Sequence, residues 1–262
     1  LRAWQAVCNR IRTAEHGLDI LEAACGTGTM LDRLDREGLL GSIRYTGVDE
    51  DADNIAQARI RAERLGLNAA QIRFVQADIF EFLDSSEIHV DLLIAHAFLD
   101  LINLDVDLPV LLDPLAPAGW CYFTLNFDGT TAFEPVLDPG FEFDVIEAYH
   151  QTMDERRVSG RSSAGRYSGR KLLAALQKQG LRLLQAGSSD WIVYPTSSGT
   201  YLADEAYFLN CMLHFFESSL TGRAGLDPDK FRDWLSARRF QIDRGQLIFL
   251  AHQIDVLAEV LG

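Results

Sequence analysis

The sequence predicts an α/β protein: a doubly wound, mostly parallel seven-stranded sheet with an antiparallel last strand and an added C-terminal helical segment. Three observations predict it. Short apolar runs alternate with stretches whose apolar residues recur at helical spacing, the pattern of a parallel sheet wrapped on both faces. Those runs end in polar, often acidic, residues. The last two runs stand too close together for a parallel crossover, so they are expected to pair antiparallel at the sheet edge.

The elements follow in order. Residues 1–16 read as a short helix with Trp4, Val7, Cys8 and Ile11 on one face. Residues 18–21 are an apolar strand, and the helix after it carries Met30, Leu31 and Leu34, with Gly38 as its stop. "IRYTGVD" (43–49) is the second strand. The helix over 51–67 has Asp51 as its cap and Ile55, Ala58, Ala62 and Leu65 on its inner face. Strands follow at 72–78, at 90–97 (apolar enough to be buried on both faces) and at 119–127. A helix over 170–179 stops at Gly180 and leads to the two edge strands, 181–187 and 191–195.

Two segments exceed this plan. Residues 128–168 form an insertion with a central helix over 143–154. Residues 201–262 read as three helices: the apolar "DEAYFLNCMLHFF", a second opened by Asp227 and Pro228, and "QLIFLAHQIDVLAEVL". The expected division is a ligand-binding domain over 1–200 and a helical extension over 201–262 packed on it.

Composition narrows the function. Of 262 residues 48% are apolar, enough for a large core. The net charge of -14 repels a polyphosphate, so neither DNA nor RNA is an expected partner. No apolar run approaches the ~18–20 residues of a membrane span, and no secretory pattern opens the chain. The four cysteines (Cys8, Cys25, Cys121, Cys211) are scattered without a CxxC pair, which disfavours a zinc site or a disulfide framework. A reducing, cytoplasmic setting and no metal are expected.

In such a sheet, ligands bind beyond the carboxyl ends of the strands. Glu22 and the loop "ACGTG" follow the first strand; Asp49, Glu50 and Asp51 the second; Asp78 and Ile79 the third; His96, Phe98 and Asp100 the fourth; Asn126 and Asp128 the fifth. Gly26 and Gly28 let a ligand approach the backbone. A dinucleotide fingerprint would need a third glycine where Leu31 stands, and Glu22 would repel a pyrophosphate. An acid before the loop suits an amine or another cation, and an acid ending the second strand suits a ribose diol. An amine and a ribose without phosphate describe S-adenosylmethionine.

On these residues the chain resembles the class I S-adenosylmethionine-dependent methyltransferases, of Rossmann-like fold. "ILEAACGTG" is similar to the family's first motif, "VDE" to its second, "QADIF" to its adenine-binding motif and "DLLIAHAFLDLI" to its fourth, in family order, over residues 18 to about 195. Ala24 departs from the glycine of many members. The resemblance implies that Ala24, Cys25, Gly26, Thr27 and Gly28 lie along the methionine part with Glu22 nearby. It implies that Asp49, with Glu50 beside it, holds the ribose, that Asp78 and Ile79 take the adenine, and that His96 lines the methyl-transfer side. S-adenosylhomocysteine would be the product.

The methyl acceptor is less legible. The family's Asn-Pro-Pro-Tyr type of motif is absent after the fourth strand, so the expected acceptor is an O, N or C atom of a small molecule. His96 is the first candidate base, since imidazole titrates near neutrality; Asp128 and Asp100 are weaker candidates, and His150, in the insertion, could reach over the site. Arg156, Arg157, Arg161, Arg166 and Arg170 crowd the insertion of an otherwise acidic chain and suggest an anionic acceptor. The aromatic C-terminal helices could close a pocket or form a homodimer surface. The alternatives are a protein methyltransferase, a non-catalytic partner that binds the cofactor, and an aminopropyltransferase.

Overall fold

A computed structural model describes residues 2–67, 70–158 and 160–261. Helix α1 (Arg2–Thr13) buries Trp4, Val7, Cys8 and Ile11, one face at i, i+3, i+4 and i+7. Then β1 (Leu18–Ala23), α2 (Thr29–Arg36), β2 (Ile43–Asp49), α3 (Ala52–Arg64), β3 (Ile72–Gln76), α4 (Ile79–Asp84), β4 (Val90–His96) and α5 (Asp107–Leu112) alternate. Caps set where the helices begin: Asp51 accepts the backbone N–H groups of Asp53 and Asn54 to open α3, and Asp78 those of Phe80 and Glu81 to open α4.

Strand β5 (Leu115–Glu134) is twenty residues long. It outruns its parallel neighbour β4, whose last residue, His96, pairs with Thr124. After it come α6 (Pro139–Glu155), the hairpin strands β6 (Arg157–Val158) and β7 (Arg161–Ser162), α7 (Ser168–Lys178), β8 (Leu181–Ser188), β9 (Trp191–Val193), α8 (Glu205–Leu220), α9 (Pro228–Asp243) and β10 (Ile248–Val260).

The main sheet has eight strands in the order β3-β2-β1-β4-β5-β10-β8, with β9 also on β10. Strands β1 to β5 are parallel, and β10 runs antiparallel to β5, β8 and β9. The fold class is therefore the expected one, and two expectations are corrected. "QLIFLAHQIDVLAEVL" is a strand and not a helix. Flanked by β5 on one edge and β8 and β9 on the other, its backbone groups are satisfied laterally, and its near-continuous apolar run suits burial on both faces. The runs over 181–195 do not pair with each other, because each pairs with β10.

Three cores result. One lies between α1, α2, α3 and one face of the sheet, and a second between α4, α5, α7 and the other face. The third gathers α6, α8 and α9 on the parts of β5 and β10 that extend past the parallel strands, with Phe216, Trp234 and Phe249 each against the ring of Phe133. Arg238, fully buried, ties α9 to α6 through Glu142. This layer stands at the end of the sheet where the polar residues collect.

Candidate active site at the carboxyl ends of the strands

A cavity of about 350 Å³ opens beyond the ends of β1, β2, β3 and β4. Its polar wall is Asp49, Glu50, Asp51, Asn54 and Asp78; its apolar wall is Ile79, Phe80, Phe98, Leu101 and Ile102. Ala24 lies at its base and Val158, from the β6–β7 hairpin, closes one side. Asn103 Nδ2 donates to Ser162 O at 3.0 Å and ties the hairpin to the loop after β4.

Asp49 organises the ribose side. Its Oδ2 accepts the backbone N–H of Gly26 at 2.8 Å, and its Oδ1 accepts the Asp51 N–H and Asn54 Nδ2, each at 3.1 Å. A carboxylate has about four lone-pair sites. Three are filled, so Asp49 can accept one further hydroxyl directly, not the pair that an isolated carboxylate could take. On Asp78, Oδ1 accepts both cap N–H groups, at 2.8 and 3.2 Å, leaving Oδ2 without a partner among the described residues.

The glycine loop leaves space for a ligand. Gly26 has φ of +53°, and a Cβ built there would meet no atom within 4 Å. Gly28 caps α2 and is pressed against Ala58 and Phe74. Ala24 and Ala97 adopt φ of +52° and +49° just past the ends of β1 and β4, and Leu125 adopts +61° at the register shift between β5 and β10. Left-handed backbone at residues with a Cβ costs energy, and two such residues, Ala24 and Ala97, directly follow the strands beside the cavity.

Glu22, Cys25, Gly26, Thr27, Gly28 and His96 lie beside the cavity and not in its wall. Glu22 is buried, accepts the hydroxyl of Tyr45, and has its Oε1 3.9 Å from His96 Nε2. Burial pushes its carboxyl up to about 8; the Tyr45 hydrogen bond opposes this and the charge of Asp49 adds to it. His96 Nδ1 meets Thr124 Oγ1, while Nε2 is buried without a hydrogen bond. Burial, with Arg33 beside it, lowers the imidazole to about 4. Cys25 is buried, and its thiol is pushed far up by that burial.

The other two candidate bases are placed elsewhere. Asp128 is gripped by Arg170: Nε lies 2.9 Å from both carboxylate oxygens, Nη2 lies 2.8 Å from Oδ2, and the Arg170 backbone N–H donates to Oδ1 at 3.0 Å. Its role in this geometry is to hold the start of α7. His150 sits inside the third core on α6, with Nε2 3.0 Å from Thr131 Oγ1 and Phe127 against its ring, and burial lowers it to about 4.

Most of the arginines are also engaged. Arg166 pairs with Glu147 and Asp154, Arg161 with Asp107, Arg156 with Asp100 at 3.8 Å, and Arg170 with Asp128. Among the described residues Arg157 donates only to the carbonyl of Gly160, at 3.5 Å. The cluster is chiefly a set of internal ion pairs.

Sequence reading missed Tyr45, Thr124, Asn54 and Val158. Tyr45 was accessible in principle, since it occupies an inward position of β2 on the face that Glu22 occupies in β1. Val158 carries no signal, because only the hairpin brings it to the cavity.

Residues 14–160 match the family model of the methyltransferase domain, more than half of the chain. The chain belongs to the class I S-adenosylmethionine-dependent methyltransferases. Solved structures similar to this methyltransferase include a SAM-dependent methyltransferase from Thiobacillus denitrificans in complex with S-adenosyl-L-homocysteine, at 19% identity over 98% of this chain and 90% of that one, TM-score 0.52. One from Geobacter sulfurreducens, also with S-adenosyl-L-homocysteine, matches at 17% identity, 98% and 90% coverage and TM-score 0.52. The YcgJ protein of Bacillus subtilis matches at 13% identity over 99% of each chain, TM-score 0.54. These identities speak for the fold. No curated protein matches the methyltransferase by sequence.

Proposed function

We propose that this methyltransferase binds S-adenosylmethionine in the cavity at the strand ends and transfers its methyl group to an O, N or C atom of a small molecule. The observation that carries the reading is the composition of the cavity: an acid with one free acceptor site ending β2, an apolar slot after β3 and β4, and an open glycine beside them. Asp49 would accept a ribose hydroxyl. Asp78 Oδ2 would accept from the adenine amino group, with the ring between Ile79 and Phe98. The backbone at Gly26 would face the methionine part, and Glu22 its ammonium group. When bound, the cofactor supplies a methyl carbon made electrophilic by its sulfonium.

The residues of the chain then orient and shield. Burial keeps His96 neutral at physiological pH, so Nε2 can accept a hydrogen bond and orient an acceptor O–H or N–H. A conjugate acid near 4 makes it a weak proton acceptor, so its contribution is orientation more than proton removal. The helical layer of α6, α8 and α9 supports a small acceptor, since it packs on the β5–β10 ribbon beyond the strand ends. The arginine ion pairs lend little to an anionic acceptor; of that group only Arg157 is without an acid partner among the described residues.

Calorimetric titration with S-adenosylmethionine and S-adenosylhomocysteine tests the reading. Asp49→Ala removes the hydroxyl acceptor and the bond to Gly26. It should weaken both ligands by about 10- to 100-fold, the equivalent of about 1–3 kcal/mol for a buried charged hydrogen bond. A folded protein that binds neither ligand would overturn the reading. Confirmed binding leads to an acceptor screen with labelled methyl donor, beginning with small amines, alcohols and phenols.

A further inference from the structure

Four polar side chains, three buried and one partly buried, form a row across four neighbouring strands, on the sheet face covered by α1 and α2. Tyr45 is on β2, Glu22 on β1, His96 on β4 and Thr124 on β5. The Tyr45 hydroxyl donates to Glu22 Oε2, Glu22 Oε1 lies 3.9 Å from His96 Nε2, and His96 Nδ1 meets Thr124. Tyr45 is 1% exposed and Glu22 3%.

A buried acid normally has a cation or several donors. Glu22 has one hydroxyl. Among the described residues its only basic neighbour within 4 Å is His96, which burial keeps neutral. The other titratable groups acting on it raise its proton affinity or leave it unchanged: Asp49 from β2 is negative, and Cys25, from the loop after β1, is a neutral thiol. Arg33, on α2, acts on His96 and Tyr122 and lies over the Trp4 ring. The row therefore lacks a positive charge next to the loop where the proposed cofactor would place an ammonium.

We propose that Tyr45 is a positioning residue for the cofactor's ammonium group: its hydroxyl holds Glu22 in the orientation and environment in which the arriving cation ionises it, so that binding releases a proton. The inference rests on the cofactor assignment above. The proton leaves the Glu22 carboxyl, the hydroxyl of Tyr45 stays bonded to the carboxylate, and the charge formed is balanced by the ammonium. The direction follows from linkage. Ligand-free Glu22 keeps its proton up to about pH 8, and the complex holds it less tightly. Affinity therefore rises with pH and levels off near that value. Without the Tyr45 hydroxyl the levelling point moves up, because a hydrogen bond to the charged form is lost.

The test is S-adenosylhomocysteine titration of the wild type and Tyr45→Phe between pH 6 and 9, in pairs of buffers with different ionisation heats so that protons are counted. The ligand's own amine titrates identically against both proteins, so the ratio of affinities isolates Glu22. The wild type should release a proton near pH 7. Tyr45→Phe should bind about tenfold more weakly there for each unit of upward shift, and the two affinities should converge at the alkaline end. A ratio independent of pH would reduce Tyr45 to packing and overturn the inference. Should Tyr45→Phe not fold, Glu22→Gln serves in its place: its proton release should vanish and the affinity lose its rise with pH, whereas an unchanged profile would overturn the inference. Absence of any S-adenosylhomocysteine binding by the wild type would overturn the cofactor assignment itself, a distinct result.

Discussion

Ala24 shows what one atom costs at this site. A methyl group is carried at φ of +52°, where glycine would be free of strain. Ala24→Gly should stabilise the protein by about 0.5 to 1 kcal/mol, the left-handed penalty less the added freedom of the unfolded chain. Urea denaturation would measure it, and a destabilised variant would mean that the Ala24 methyl packs usefully at the cavity floor. The candidate acids Glu22, Asp49 and Asp78 are legible because each stands at or just past the carboxyl end of a strand, and their caps and loop contacts lie where strand ends place them. The candidate bases were less legible, because a histidine or an aspartate does not announce its partner. Nothing in "NFDG" reveals that Arg170, far along the chain, grips Asp128.

At the scale of elements, the junction of α7 with β5 is the most specific. Asp128 receives the Arg170 N–H and guanidinium, Ser168 Oγ donates to Phe127 O at 2.9 Å, and a Cβ on Gly169 would come within 2.7 Å of Asn126 O. Asp128→Ala should cost about 1–2 kcal/mol, a cap loss, while leaving S-adenosylhomocysteine binding intact. Gly169→Ala should cost about 1–3 kcal/mol by overcrowding backbone that cannot yield. Thermal unfolding of both variants checks these values. A catalytic Asp128 would give the reverse pattern: unchanged stability and lost turnover once an acceptor is known. Parallel strands closed by acids and followed by capped helices are local patterns, and they were found within a few residues. The segment "LIFLAHQIDVLAEVL" satisfies either period and is rich in Leu, Ala and Glu, so local pattern favours a helix where β10 forms. Only the ladders to β5 and β8, contacts remote in sequence, decide for the strand.

For the molecule as a whole, buried titrating groups set opposing limits on stability. His96 and His150 are lowered to about 4, so the unfolded chain binds more protons than the folded one between about pH 4 and 6.5. Stability is lost as pH falls through that window, by up to about 3 kcal/mol for each histidine. Glu22 is raised to about 8, so the folded chain binds the extra proton and stability declines as pH rises from about 4.5 to 8. For these three groups the ligand-free protein should be most stable near pH 6.5, and saturating S-adenosylhomocysteine should flatten the alkaline side, where Glu22 would already be ionised. Urea midpoints at several pH values, with and without ligand, would show this; an alkaline decline that the ligand leaves untouched would argue against it. The sheet order carries a consequence for biosynthesis. Strand β8 leaves the ribosome well before β10, the only strand it pairs with among the described residues, because α8 and α9 come between. Until β10 arrives, β5 and β8 expose unpaired edges, so the nascent chain is most exposed to aggregation while its helical layer is being made.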